Sequence, residues 1–539
     1  MFKLPQDATK TMLAVHGWSG VLLGLLLYAV ICTGVAAVFA TEIDDWASPM
    51  SRGDTVAFGP GLDNALRHLA GAVDSQFHEE VAIWRGAGGR VNMLFHRHEI
   101  GPDGKSTERG VEFELDPATW EVLDRREGWY EDIEAQRTPS GIAAFLVDLH
   151  VRLHIPEPYG LIVTGVLGLA MMVAAVTGLV IHRHLLKDLF TLRVGRDPVL
   201  RRRDLHVVAG SWNLPFAFIL AFTGSFFSFA TTVGLPMVAA VKFDGDQEAV
   251  IETLYGTARA EDTRSASSAA IVPMLADVRA RSGAEPNFVS VEHFGRADST
   301  ATIFTVLPRD RLVYTSHLYD GVTGEYLRER PPLGNEASLG AALVGLMYPL
   351  HFGHFAGTAS KAVWVALGFA GAYVTFTGML LWTRRRAEQP GWRAMTRAVY
   401  CVGYGLPLAL VVAPYAFFVL RGHDIPPGTS QGVVFLAVVA IAAVATVGVA
   451  SLDRLRSAFL AATGVALLGL PLVRMITGGP GWSEAWQAGI GTVLALDVAL
   501  LVAGTACIGF SRAGVMPVAT VPHAGPGGTP RVDSKASLQ

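Results

Sequence analysis

Seven of the sixteen histidines in this chain stand beside long apolar runs. His16 and His206 each open such a run, His182 closes another, and His150, His154, His351 and His354 precede two more. An imidazole at the edge of a bilayer calls for a partner, because an unpaired polar group there is costly. Two imidazoles from different helices meeting at one level would ligate a haem iron from both sides and hold it six-coordinate. For any single histidine, interfacial anchoring is the better account. Matching positions in two parts of the chain are harder to obtain that way.

Those histidines need helices that cross a membrane, and the composition supplies them. Of 539 residues, 51% are hydrophobic and only 17% charged, which excludes an ordinary soluble protein. Eight apolar runs are long enough to span: about 12–40, 159–183, 206–231, 360–383, 399–420, 432–450, 457–475 and 486–510. The first is about twice the length of a signal-peptide core, so it reads as a retained anchor. Lys187, Arg193, Arg196 and Arg201 to Arg203 follow the second run, and Arg384 to Arg386, Arg393 and Arg397 follow the fourth. The positive-inside rule then puts both termini in the cytoplasm and the two long inserts outside it.

The chain thereby divides into an N-terminus with the first span (1–40), a first outer module (41–158), the second and third spans with a basic loop (159–231), and a second outer module (232–350). The fourth span (351–390), four additional spans (391–512) and a tail expected to be disordered (513–539) complete it. Both modules show a helix pattern and then strand-like alternation. The first has a helix near Leu62 to Val73 and strands at Val81 to Trp84, Val91 to Phe95 and Val111 to Leu115. The second has a helix near Ile271 to Val278 and strands near Phe288 to Val291, Ala301 to Val306 and Leu312 to Leu318. Each closes on a similar turn, Asp116-Pro-Ala-Thr119-Trp-Glu121 and Asp320-Gly-Val-Thr323-Gly-Glu325. Thr177-Gly178 and Thr377-Gly378 extend the duplication into the second and fourth spans. The fold class is an α-helical integral membrane protein of about eight transmembrane helices with two periplasmic α+β modules.

This topology sorts the histidines by depth. His16, His206 and His182 lie near the cytoplasmic face, and His150, His154, His351 and His354 near the outer face. Two levels of haem would make a wire. From His154 to His182 the helical path is about 42 Å, too long for one electron hop, although Pro156 and Pro158 break that path. His96-Arg-His98 places two rings on one strand face, but two ligands do not make a tight metal site. Cys32, Cys401 and Cys507 lie in apolar runs and form no disulfide framework, and no Cys-x-x-Cys-His for covalent haem occurs. No basic cluster is joined to a stacking platform, so nucleic acid is not an expected partner.

The chain resembles the PepSY-associated transmembrane family of bacterial inner-membrane proteins, which includes ferric-siderophore reductases, in its longer-chain branch. The matching motifs are His16-Gly-Trp-Ser-Gly, Asp148-Leu-His150-Val-Arg-Leu, Arg203-Asp-Leu-His206-Val-Val-Ala-Gly-Ser-Trp, Pro349-Leu-His351-Phe-Gly and Thr377-Gly378 to Trp382-Thr-Arg-Arg. They cover about 10 to 390. The resemblance implies PepSY-type outer modules, b-type haems and outward electron flow to ferric iron, with His16, His150, His206 and His351 as ligands. His182 and His154 are extra, so two haems are expected, or three if these two join the set. For His206 the partner is His16 or His182.

The expected function is therefore a transmembrane haem reductase of the bacterial inner membrane, acting on a ferric siderophore or other ferric chelate in the periplasm. No phosphate-cradling loop lies on the cytoplasmic side, so the donor is a membrane quinol or an external cytoplasmic reductase. Two rivals stand beside it: a non-redox envelope protein modulating a periplasmic protease, and an iron or haem permease. The scarcity of charge beyond Asp497 inside the last four spans argues against an ion path.

Overall fold

A computed structural model describes residues 5–47, 58–86, 89–101, 106–136, 141–181, 189–190, 198–256, 259–307, 312–420, 423, 425 and 427–513. Outside the bilayer, strands from both inserts join in one antiparallel sheet. The first insert contributes β1 (Glu80–Arg85), β2 (Val91–Ile100), β3 (Ser106–Leu115) and β4 (Val122–Trp129). The second contributes β5 (Pro286–Glu292), β6 (Thr300–Thr305), β7 (Ser316–Asp320) and β8 (Tyr326–Arg330). The order is β4-β3-β2-β1-β5-β6-β7-β8. The two units meet at β1 and β5, with Val81 opposite Val291 and Ile83 opposite Val289. Pairing at that central seam removes two strand edges that would otherwise stand exposed.

The alternating apolar residues of the inner strands face two helices, Leu62–Ala70 and Ile271–Ser282, in one core that includes Leu66, Ile83, Phe95, Phe113, Leu275 and Ile303. Asp63 ties the units together, because its carboxylate accepts from the Ile271 amide at 2.6 Å and so caps the partner helix. The two turns are built alike. Asp116 accepts from the Ala118 amide and Thr119 from that of Glu121, as Asp320 accepts from Val322 and Thr323 from Glu325. Trp120 takes the left-handed conformation (φ 61°) that Gly324 (φ 76°) holds in the second turn. β4 and β8 were not legible from alternation. Both are edge strands rich in Arg, Asp and Glu, and charge at an edge suits solubility rather than a two-residue period. The strand expected at Leu312–Leu318 begins at Ser316 and runs on to Asp320.

Among the described residues, seven single helices are long and apolar enough to cross a membrane, and a bent pair makes an eighth. The pair comprises α1 (Gln6–Leu22) and α2 (Gly24–Ala37), which meet at 66°. Ser19-Gly20 and Gly24 surround the bend, the residue types that permit one. The other core spans are Tyr159–Ile181, then Leu200–Lys242 with a π-helical turn at Ala230–Gly234, and Gly357–Arg384. Each packs on its neighbours, so four spans close a ring. Two shorter helices enter that ring from the sheet end, Gly141–Arg152 ahead of the second span and Leu339–Phe352 ahead of the fourth.

The last four spans, Pro390–Val419, Gly428–Gly448, Leu452–Ile476 and Gly491–Arg512, stand to one side of the ring. They brace the helix Gly141–Arg152, where Phe145 meets Phe435 with ring centres 5.6 Å apart. The one acid in their interior is fully satisfied. Asp497 accepts from Arg474 at 2.8 Å, Trp46 Nε1 at 2.7 Å and Trp482 Nε1 at 2.9 Å. That closed network holds the helix Ala40–Ala47 on the additional spans.

Candidate haem site

Four histidines sit in four equivalent seats. His16 on α1 lies against Gly178 of the second span, and His206 at the start of the third span lies against Gly378 of the fourth. His150 on Gly141–Arg152 lies against Gly34 of the first span, and His351 on Leu339–Phe352 lies against Gly224 of the third. A β-carbon at Gly34 would stand 2.8 Å from the His150 Cε1, and at Gly378 3.0 Å from that of His206. Glycine is what allows each ring to lie on the backbone of another helix.

The residue before each glycine is a buried threonine, Thr33, Thr177, Thr223 or Thr377. Its hydroxyl donates back to a carbonyl of its own helix, from Thr377 to Tyr373 at 2.7 Å and from Thr223 to Ile219 at 2.8 Å. With that proton committed, the threonine oxygen can only accept from a further partner. His206 Nδ1 lies 3.2 Å from Thr377 Oγ1, and His351 Nδ1 lies 2.9 Å from Thr223 Oγ1. His16 Nδ1 reaches the Ala174 carbonyl at 2.9 Å and Thr177 Oγ1 at 3.3 Å, and His150 Nδ1 reaches the Val30 carbonyl at 2.8 Å. Val30 and Ala174 each precede their threonine by three residues. Every one of these partners is an acceptor, so all four rings carry their proton on Nδ1 and the lone pair on Nε2. Anchoring one ring nitrogen so that the other faces a metal is the usual support of a metal-bound histidine.

His150 and His351 come together. Their ring centres lie 6.1 Å apart with the planes tilted by 34°. Two metal–nitrogen bonds of about 2 Å, with a ring radius added at each end, give about the same span. His16 and His206 occupy the matching stations at the opposite end of the ring of spans, on α1 and on the third span. His154 does not join the pair. It is paired with Asp148 and stacked on Phe145 with centres 4.6 Å apart. His182 lies outside the described residues.

Aromatic side chains continue from His351 toward the sheet. Phe227 and Phe352 lie 5.5 and 5.3 Å from its ring, and Tyr348 and Tyr314 extend the series. On the sheet itself, His96 and His98 have ring centres 5.9 Å apart. Glu79 bonds His98 at 3.0 Å and raises its pKa to about 9, whereas burial lowers that of His96. Among the described residues no group of three or more metal-ligating side chains could hold an ion.

The dipeptides Thr33-Gly34 and Thr223-Gly224 were missed as seats in the sequence, and Thr177-Gly178 and Thr377-Gly378 read only as marks of duplication. The same dipeptide occurs at Thr164-Gly165 and Thr463-Gly464, which seat no histidine, so the pair of residues alone is not a signal.

A family model described as the PepSY-associated TM region matches residues 13–385. The chain is also 27% identical over 320 residues to an uncharacterized protein of Pseudomonas aeruginosa, a match that covers 56% of this chain and 78% of that one.

Proposed function

This chain belongs to the family of the PepSY-associated TM region, and on that footing we propose that it is a bacterial inner-membrane haem reductase. It passes electrons outward to a ferric chelate, of which a ferric siderophore is the best candidate. Both termini are cytoplasmic in this reading, and the sheet is periplasmic. The observation that carries it is the His150–His351 pair, 6.1 Å between ring centres with each Nδ1 anchored. The residues fit a b-type haem: glycine at each seat leaves room for the ring, and the fixed tautomer presents Nε2. His150 and His351 would hold the outer haem, and His16 and His206 the inner one.

A bound haem supplies one-electron chemistry at iron. The chain's own part is to hold the ligands at two depths and to keep their protons on Nδ1. Phe227, Phe352, Tyr348 and Tyr314 line the way from His351 to the sheet. There a ferric chelate would be reduced and, as Fe(II) matches hard oxygen ligands poorly, would release its metal. The permease reading loses ground because Asp497 is locked by Arg474, Trp46 and Trp482.

Protein purified after expression with ample haem is expected to show dithionite-reducible b-type Soret and alpha bands at two haems per chain. Their absence would end the reductase reading. With haem bound, reduced protein mixed with a ferric siderophore is expected to reoxidise and yield Fe(II), trapped by a ferrous chelator.

A further inference from the structure

The last four spans do more than brace the core, because a cavity of about 370 Å³ lies between them and the fourth span. Its inner wall is one face of Gly357–Arg384, with Phe369, Tyr373 and Phe376 in succession. The opposite wall is the π-helical turn Cys401–Gly405 of the fifth span, flanked by Tyr400 and Tyr404. A π-turn inside a membrane helix commonly marks a functional position. Here Tyr28 donates to the carbonyl of Gly403 at 2.9 Å, and a β-carbon at Gly403 would run into Phe376.

The cavity has an aromatic lining whose rings touch one another. Phe376 and Tyr404 have ring centres 5.3 Å apart, and Tyr400 and Tyr404 lie 5.7 Å apart. Its volume is at the small end for ligand pockets, which suits one ring or two fused rings. Three guanidinium groups, from Arg202, Arg384 and Arg456, gather at one end, where Arg456 also donates to the Phe510 carbonyl at 3.2 Å. At the other side Phe369 is 63% exposed and Tyr373 39% exposed on the surface that meets lipid, which leaves a way in for an apolar tail. Thr377 belongs to both sites: it lines this cavity and fixes Nδ1 of His206.

We propose that this cavity is a quinol site that delivers electrons to the His206 end of the protein. A flat ring packs against the aromatic lining, its oxygens face arginine and tyrosine donors, and its tail leaves through the lipid-facing side. One quinol would give up two electrons, one at a time, to a haem held by His206, the first passing on to the haem held by His150 and His351 before the second arrives. The quinol becomes the quinone and releases its two hydroxyl protons to water at the arginine-lined end. An anionic phospholipid would satisfy the guanidinium groups but would leave the aromatic lining and the link through Thr377 without a use.

The inference rests on the haem reading above, and two measurements separate their failures. The haem-loaded full chain in phosphatidylcholine vesicles is mixed with a short-chain benzoquinol, and haem reduction is followed spectroscopically. Reduction at two electrons per quinol is expected, slowed at least tenfold by Arg456→Gln and by Tyr404→Phe, with the dithionite-reduced spectrum of both variants unchanged. Equal rates in variants and parent would overturn the site. Independently of haem, a photoreactive azidoquinone is expected to label the peptide holding Tyr400 to Tyr404. Label placed elsewhere, or label lost to equimolar cardiolipin together with no reduction by quinol, would make the cavity a lipid seat and defeat the proposal.

Discussion

His150 and His351 face each other across the sheet end of the bundle with ring centres 6.1 Å apart, each on a short helix that leads into a membrane span. The two side chains come from the two copies of a repeated unit. Their meeting at a shared axis is what turns a duplicated sequence into one site.

Replacement of His351 by Ala should remove the outer haem and leave the inner one. About half of the b-type absorbance is then lost at equal protein concentration, with the helical content by circular dichroism unchanged. His206→Ala should remove the complementary half, and loss of both haems from either variant would contradict separate pairs.

The threonine seats should tune the metal rather than the fold. Thr223→Val removes the acceptor for His351 Nδ1 and keeps the side-chain volume. Changes to such supporting groups typically cost 10- to 100-fold in metal affinity. Haem transfer to an apo-globin acceptor is expected to quicken by about that factor, with a shifted midpoint potential for one haem only. Gly34→Leu should be harsher, because its first side-chain atom already meets the His150 ring.

Asp497 and Arg474 test the lock between the additional spans and the helix Ala40–Ala47. Their side chains are each 1% exposed. Removing one partner of a buried pair leaves an uncompensated charge and costs about 3–5 kcal/mol. Asp497→Ala should lower the melting temperature of the detergent-solubilised protein markedly. The double variant Asp497→Ala with Arg474→Met should recover only the part of that loss due to the unpaired charge, because the Trp46 and Trp482 indole N–H groups still lack their acceptor.

The His98–Glu79 pair gives the sheet a pH signature. His98 titrates at about 9 in the fold, above its ordinary value near 6.5, because of the hydrogen bond it donates to the Glu79 carboxylate. A raised histidine pKa contributes stability that is complete below about 6.5 and is lost as pH rises through about 9. Glu79, whose pKa the same bond lowers, contributes above about 4.5 and loses its part as pH falls further. The difference in melting temperature between the parent and His98→Ala should therefore be largest at pH 5 to 6 and vanish by about pH 10. A difference that grows above pH 8 would contradict the pair. His98 is 43% exposed, so solvent screening keeps the effect small.

Much of this was legible from residues alone. Runs of about twenty apolar residues with arginines at their ends specify membrane helices without reference to any neighbour, because the bilayer supplies the partner surface. Strand alternation and the Asp-x-x-Thr turn specify local structure for the same reason: their periods and side-chain bonds are short in sequence. The charged edge strands β4 and β8 were hidden, since an edge is defined by the absence of a neighbour.

The site itself belongs to the tertiary structure. Histidine types and their repetition in both units pointed to seven histidines at two depths, and the family resemblance narrowed them to His16, His150, His206 and His351 with His154 and His182 beside them, but nothing in their spacing says which ring meets which. Only helix packing brought His150 to His351, turned His154 to Asp148, and laid each ring on a Thr-Gly step of another span. That step is common in the chain, and its meaning depends on what is packed against it. The cavity beside Thr377 is likewise invisible in the sequence, because its walls come from the first, third, fourth, fifth and seventh spans and its shape exists only where they meet.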